Sequence, residues 1–336
     1  MNRYFSLAIA CLLLAGCQTA KNEYTNRKPN LSAITISYVN EIDNLPVLSA
    51  KEYVRQGNDF RYRKQYKRAI AYYDRALKIN PSHKQAWNNI GMALDRLQKH
   101  NEAIYFYRRA IRIDPRYYNA WKNQGDSLKD LEKYEEAVDA YNEALGINPI
   151  NIHTWMNKGD ALSNLDRYEE AIVTYEQALK INPEYTLAWN GLANILDDAG
   201  KREKAIAAYK QVSQIDSNDK YALIQKGHAL SNLQRYEEAI EAYQKAIKID
   251  PNNKYAWNAK ANFLHDRCEC EKAIVAYKEV ISIDADYVSA WYNIGKCLDY
   301  LGRYDEAVQV YRQVLELDSQ HQKARERLDE IAKQPI

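Results

Sequence analysis

The densest group of metal-binding or redox-capable side chains lies in "FLHDRCECEKA". Here His265, Cys268 and Cys270 fall within six residues, and Cys297 follows further on. Thiolates with an imidazole form a zinc donor set, and neighbouring cysteines in an oxidising compartment can pair. Three readings follow: a metal site, a Cys268–Cys270 or Cys270–Cys297 disulfide, or cysteines at turn and packing positions. No other catalytic constellation emerges. The chain has no Gly-rich phosphate loop, no G-x-S-x-G and no H-E-x-x-H, and its six His are scattered. The expectation is a non-enzyme without cofactor or resident metal. A metal-dependent or redox protein built on those four residues is the alternative.

A second set is polar and periodic. Asn89, Asn123 and Asn157 are 34 residues apart, and Asn293 falls in the same phase. An Asn amide donates and accepts, so it can pair bidentately with a peptide unit. What such residues hold depends on the elements that carry them.

Those elements repeat. Asn-Pro or Asp-Pro recurs with a period of 34, and eight in-phase units run over 50–83, 84–117, 118–151, 152–185, 186–219, 220–253, 254–287 and 288–321. Counting from each unit's first residue, position four holds all six Trp, and position eight is Gly or Ala. Position twenty is always Ala and position twenty-four always Tyr, from Tyr73 to Tyr311. The apolar positions follow the helical period within two segments of each unit. Gly inside a helix costs about 1 kcal/mol against Ala, so its recurrence needs a packing reason. Pro closes the second helix in five units, and Ser217, Ala285 and Ser319 hold that position in the other three. "HQKARERLDEIAKQ" supplies an amphipathic lid, so that 322–336 reads as a capping helix and tail.

Eight copies of this pattern resemble the tetratricopeptide repeat family over about four-fifths of the chain. The resemblance implies an all-α, right-handed superhelical solenoid, with first helices lining a concave groove and position six facing it. In that frame the Asn series resembles the asparagine ladder of the O-linked N-acetylglucosamine transferases, where Asn side chains hold a peptide backbone. Stacked helices about 10 Å apart match about three residues of extended chain. The series breaks at Gly191 and Ala259, which confines it to units two to four. The competing reading is that these Asn only solvate a helix face. On the ladder reading, Asn89→Ala with Asn123→Ala weakens capture and leaves stability nearly unchanged. Asn88 and Lys122, at position five, are expected to tune specificity. Asp126, Asp160 and Asp197, with Asp130 and Asp198, would favour a basic or neutral ligand. A carboxylate clamp requires Lys at five and Asn at nine; unit three pairs Lys122 with Asp126, and no unit fits.

The formal net charge of +2 conceals a gradient. Unit one carries 9 Lys/Arg against 3 Asp/Glu and unit two 7 against 3, while units three and four carry 3 against 7 and 3 against 6. Arg61, Arg63, Lys64, Lys67 and Arg68 crowd unit one, where anionic headgroups are the natural counterpart. Nucleic acid is not expected as a partner.

The N-terminus explains why a membrane enters. "MNRYFSLAIACLLLAGCQTA" has a basic start and an apolar run too short to span. Leu14-Ala15-Gly16-Cys17 resembles the bacterial lipobox, which implies cleavage after residue 16 and lipidation of Cys17. Residues 17–49 then form a lipidated tether, and 31–48 contain apolar positions able to dock on unit one. Gln18 after the Cys implies sorting to an outer membrane in a host that has one, and otherwise the outer face of the cytoplasmic membrane. The sequence therefore reads as a lipid-anchored scaffold that binds envelope proteins or peptide segments. A self-assembling homo-oligomer is the second reading.

Overall fold

The computed structural model describes residues 29–31, 38 and 48–332. Cys17 and the rest of the signal lie outside the described residues. Among those residues the fold is all-α, with seventeen helices from Ala50 onward and no strand. The chain divides into two compact units at Asn182/Pro183.

The first unit holds α1 (Ala50–Tyr62), α2 (Tyr66–Ile79), α3 (Lys84–Asp95), α4 (His100–Ile113), α5 (Tyr118–Asp130), α6 (Tyr134–Ile147), α7 (Ile152–Ser163) and α8 (Tyr168–Ile181). The second holds α9 (Thr186–Asp198), α10 (Arg202–Ile215), α11 (Lys220–Asn232), α12 (Tyr236–Ile249), α13 (Lys254–Asp266), α14 (Cys270–Ile283), α15 (Val288–Tyr300), α16 (Tyr304–Leu317) and α17 (Gln322–Ala332). Odd-numbered helices pack chiefly on the even helix that follows. This is the all-helical paired architecture that the 34-residue period predicts.

The reason for Gly at position eight is the ring of the position-twenty-four Tyr. A Cβ on Gly57 would sit 2.5 Å from Tyr73, and one on Gly125 2.6 Å from Tyr141; the same holds at Gly91, Gly159, Gly227 and Gly295. All eight of these Tyr rings are buried. The missing methyl group makes room for an aromatic ring between the paired helices, which offsets the backbone cost of Gly.

Each pair turns at position fifteen, where Lys64, Gln98, Glu132, Asp166, Gly200, Gln234, Cys268 and Gly302 all have φ between 57° and 74°. Around it the first helix closes as a Schellman-type cap: Gln98 N donates to Asp95 O and Lys99 N to Leu94 O. The last residue of each unit starts the next helix. The side chains of Ser49, Asn151, Asp219 and Asn253 accept backbone N–H bonds there.

Trp at position four ties a unit to its predecessor. Trp87 Nε1 donates to Pro81 O at 2.7 Å, Trp121 to Pro115 O at 2.9 Å and Trp257 to Pro251 O at 2.8 Å, with Trp155, Trp189 and Trp291 alike. Leu31 is buried in the cluster that contains Tyr53 and Tyr72, and Tyr38 and Leu48 pack against it. Leu31, Tyr38 and Leu48 thus join the core of the first repeat.

Candidate functional site

The position-six asparagines are half-buried, and each one bonds to the preceding repeat. Asn89 Nδ2 donates to Asn58 Oδ1 at 2.9 Å, Asn157 Nδ2 to Asp126 Oδ1 at 2.9 Å and Asn293 Nδ2 to Asn262 Oδ1 at 3.5 Å. The acceptor is position nine of the preceding repeat. It also accepts the hydroxyl of that repeat's Tyr: Tyr73 on Asn58 at 2.8 Å, Tyr141 on Asp126 at 2.9 Å, Tyr277 on Asn262 at 2.6 Å. Unit two has Met92 at position nine, and Asn123 Nδ2 turns to Asn88 Oδ1 at 3.1 Å. The ladder residues are therefore stitches between repeats. This corrects the expectation that their loss spares stability.

Asn88 is 2% exposed, and its Nδ2 lies 3.3 Å from both Asn89 Oδ1 and Met92 Sδ. It supports Asn123 from within and presents no surface for a ligand, which corrects its expected role in specificity. Lys122 is half-buried and pairs with Asp126 at 2.6 Å. Asp160 accepts from Tyr175 and lies 3.7 Å from Lys129. Asp197 lies 3.5 Å from Arg202, and burial raises its carboxyl above the usual range.

A cavity of about 400 Å³ opens on this face between α3 and α5, lined by Met92, Asp95, His100, Lys122, Asn123 and Asp130 among others. Asp95 forms its floor. It accepts from Tyr107 at 2.6 Å and from Ser127 at 2.8 and 2.9 Å, and lies 3.1 Å from His100 Nδ1. Burial raises the Asp95 carboxyl, and these three neighbours pull it back. Ser127 donates to the Asp95 carboxylate and not to the imidazole. Asp130 is more than half exposed at the rim, 3.8 Å from His100. The arrangement can receive a polar or basic segment.

Two of the three cysteines meet: Cys270 and Cys297 lie side by side in the core. Cys268 is exposed at the left-handed turn position, Cys270 and Cys297 are buried, and all three are free. His265 Nδ1 faces Asp266 Oδ1 at 3.3 Å. Among the described residues no three His, Cys, Asp or Glu stand close enough to hold a metal. In the basic group, Arg63, Lys64 and Lys67 are exposed around the α1–α2 turn. Arg61 lies over the Tyr62 ring at 4.7 Å and Arg68 over Phe60 at 4.0 Å, so these two also pack as well as carry charge.

Sequence reasoning missed Asn58, Asp95, Asn262 and Asp299 as acceptors. Their signal was available: an Asx or His at position nine, or an Asp at position twelve where nine is Met or Lys, in register with every Tyr.

Four family models, each described as tetratricopeptide repeat, match the chain. They cover residues 54–118; 118–151, 153–185, 221–253 and 288–321; 242–273; and 187–219. No curated protein matches. Among solved structures, PilF of Pseudomonas aeruginosa is 19% identical over 65% of this chain and 97% of its own, with a TM-score of 0.52. YrrB, a TPR protein with an unusual peptide-binding site, is 24% identical over 56% of this chain and 97% of its own, with a TM-score of 0.49. A MamA protein is 27% identical over 51% and 94%, with a TM-score of 0.45. At these levels the likeness to PilF is one of fold.

Proposed function

The chain belongs to the tetratricopeptide repeat family, whose members are protein–protein interaction scaffolds and generally not catalysts; from that premise we propose that it is a lipid-anchored adaptor of the cell envelope. The observation that carries the groove reading is the cavity between α3 and α5, with Asp95 and Asp126 inside and Asp130 at its rim. It fits an extended segment bearing a Lys or Arg side chain, whose cation would meet Asp130 and whose backbone would meet Asn123.

Anchoring rests on the apolar run that ends in Gly16-Cys17. One acyl chain gives marginal membrane binding and two or more give stable binding. The exposed Arg63, Lys64 and Lys67 would add attraction to anionic headgroups at roughly 1 kcal/mol each. Gln18 supports an outer-membrane address in a diderm host.

Capture of envelope proteins on the immobilised chain, with peptide identification, tests the groove. The expected ligands share a basic extended segment, and Asp130→Lys should cut their capture at least tenfold without changing the helical content. Equal capture by that variant would overturn the groove reading. Labelled palmitate should enter the wild-type chain and not Cys17→Ser; an unlabelled wild type would overturn the anchor.

A further inference from the structure

Unit six departs from its neighbours at position four. Six units carry a Trp there, bonded through Nε1 to the carbonyl at position thirty-two of the unit before. In two of them a Lys at position seven covers the indole: Lys158 lies 5.5 Å from the Trp155 ring and Lys260 5.1 Å from the Trp257 ring. Unit six keeps that Lys as Lys226, and Ser217 supplies the position-thirty-two carbonyl, but position four is Leu223. A cleft of about 340 Å³ opens there, lined by Ser213, Ser217, Leu223, Lys226, Leu230 and Ala242 among others.

We propose that this cleft takes up an indole-type ring from outside the chain, a planar aromatic group carrying one N–H donor. The other repeats define the fit. The ring would lie against Leu223 and Ile249, beneath Lys226, with its N–H toward the Ser217 carbonyl. An apolar cavity of about 150 Å³ already admits benzene, so a two-ring system has room. Burial lowers the Lys226 ammonium below its usual range, and a partly desolvated cation gains more from a ring face than an exposed one. Positions four, seven and eleven share one face of a helix, and positions six, nine and thirteen share the opposite face. The cleft is thus separate from the groove and independent of the groove reading.

The ring can come from a Trp side chain of a polypeptide or from free indole. Titration of the full chain with indole, followed through the Leu223 and Ile249 methyl resonances, should give saturable shifts. The dissociation constant should be roughly millimolar, as expected for so small a ligand. 1-Methylindole, which lacks the donor, should bind at least threefold more weakly, and Lys226→Met should weaken indole severalfold. Leu223→Trp fills the cleft from within and should abolish binding; if it does not fold, Ala242→Leu fills the opposite wall with the same expectation. A Gly-Trp-Gly peptide that saturates the same resonances assigns the ring to a polypeptide, and binding of indole alone assigns it to a small molecule. Absence of saturable shifts, or undiminished binding in the filled variants, overturns the proposal.

Discussion

Tyr107 donates its hydroxyl to Asp95, twelve residues back, at 2.6 Å. Six of the other position-twenty-four tyrosines bond a residue fifteen back, and only Tyr311, on Asp299, shares the shorter span. The two exceptions are the units with Met92 and Lys296 at position nine. Thioether and ammonium cannot take a strong bond from a phenol. An Asp one turn along the helix does so instead. What the fold requires is an acceptor for a buried hydroxyl, from whichever position can provide it.

The tyrosines set an alkaline limit. Burial raises all eight hydroxyls above their ordinary value of 10.0, Tyr73 to about 12 and the other seven likewise upward. A group with a raised folded pKa contributes stability that is complete below its unfolded pKa and is lost as pH rises toward the folded one. Each contributes a slope of about 1.4 kcal/mol per pH unit once the unfolded phenol ionises. Urea titrations should therefore show little change up to pH 9 and a steep fall above pH 10. Absorbance at 295 nm should show the buried set ionising together with unfolding. Free titration of all 28 tyrosines below the unfolding transition would contradict this.

Asn89→Ala should cost about 1 kcal/mol in urea unfolding, because the bond to Asn58 joins two repeats. Asn157→Ala should cost more, since its acceptor is a carboxylate oxygen of Asp126 that also takes the Tyr141 hydroxyl. A surface residue that only solvates its helix would cost within about 0.5 kcal/mol. That smaller value in both variants would show the stitches to be energetically idle.

Left-handed geometry at position fifteen is carried by non-Gly residues in six units. That conformation costs an L-residue roughly 1 kcal/mol. Gln98→Gly and Glu132→Gly should each stabilise by up to about 1 kcal/mol, and Gly302→Ala should destabilise by a similar amount. Thermal unfolding of the three variants checks the sign directly.

Thiol labelling separates the cysteines. Cys268 is exposed and should react within seconds to minutes, whereas Cys270 and Cys297 are buried and should react only on unfolding. Burial and the adjacent Cys270 push the Cys297 thiol far above its ordinary value, which removes the reactive thiolate. Recovery of one labelled thiol per chain after full unfolding, counting Cys268, Cys270 and Cys297 alone, would reveal a disulfide.

The repeat was legible because eight copies of Ala and Tyr, with Pro in five of them, fall in one phase and leave a single fold class. The reason for Gly57 and its equivalents was half legible: a close approach was implied, but the occupant is the Tyr73 ring. Position fifteen was written in Gly200 and Gly302 and obscured by Lys64, Gln98 and Cys268, which adopt the same φ without the residue type that signals it. Half of the ladder's role was hidden for a physical reason. An Asn on a helix face shows its donor and acceptor in the sequence, but not whether a neighbouring repeat already uses them. Asn88 shows the same limit, since its position-five register gave no hint that it is enclosed.

The last helix, α17, is the first half of a ninth repeat. Arg327 stands at position six and bonds Asp299, which also accepts from Tyr311. The terminal join thus uses a position-six donor and an acceptor shared with the position-twenty-four Tyr, as Asn89, Asn157 and Asn293 do earlier in the chain. A copied 34-residue segment inserted ahead of Gln322 would find matching contacts on both sides. A repeat array whose end carries the same kind of contact as its interior can accept a further unit there, since each unit contacts only its neighbours.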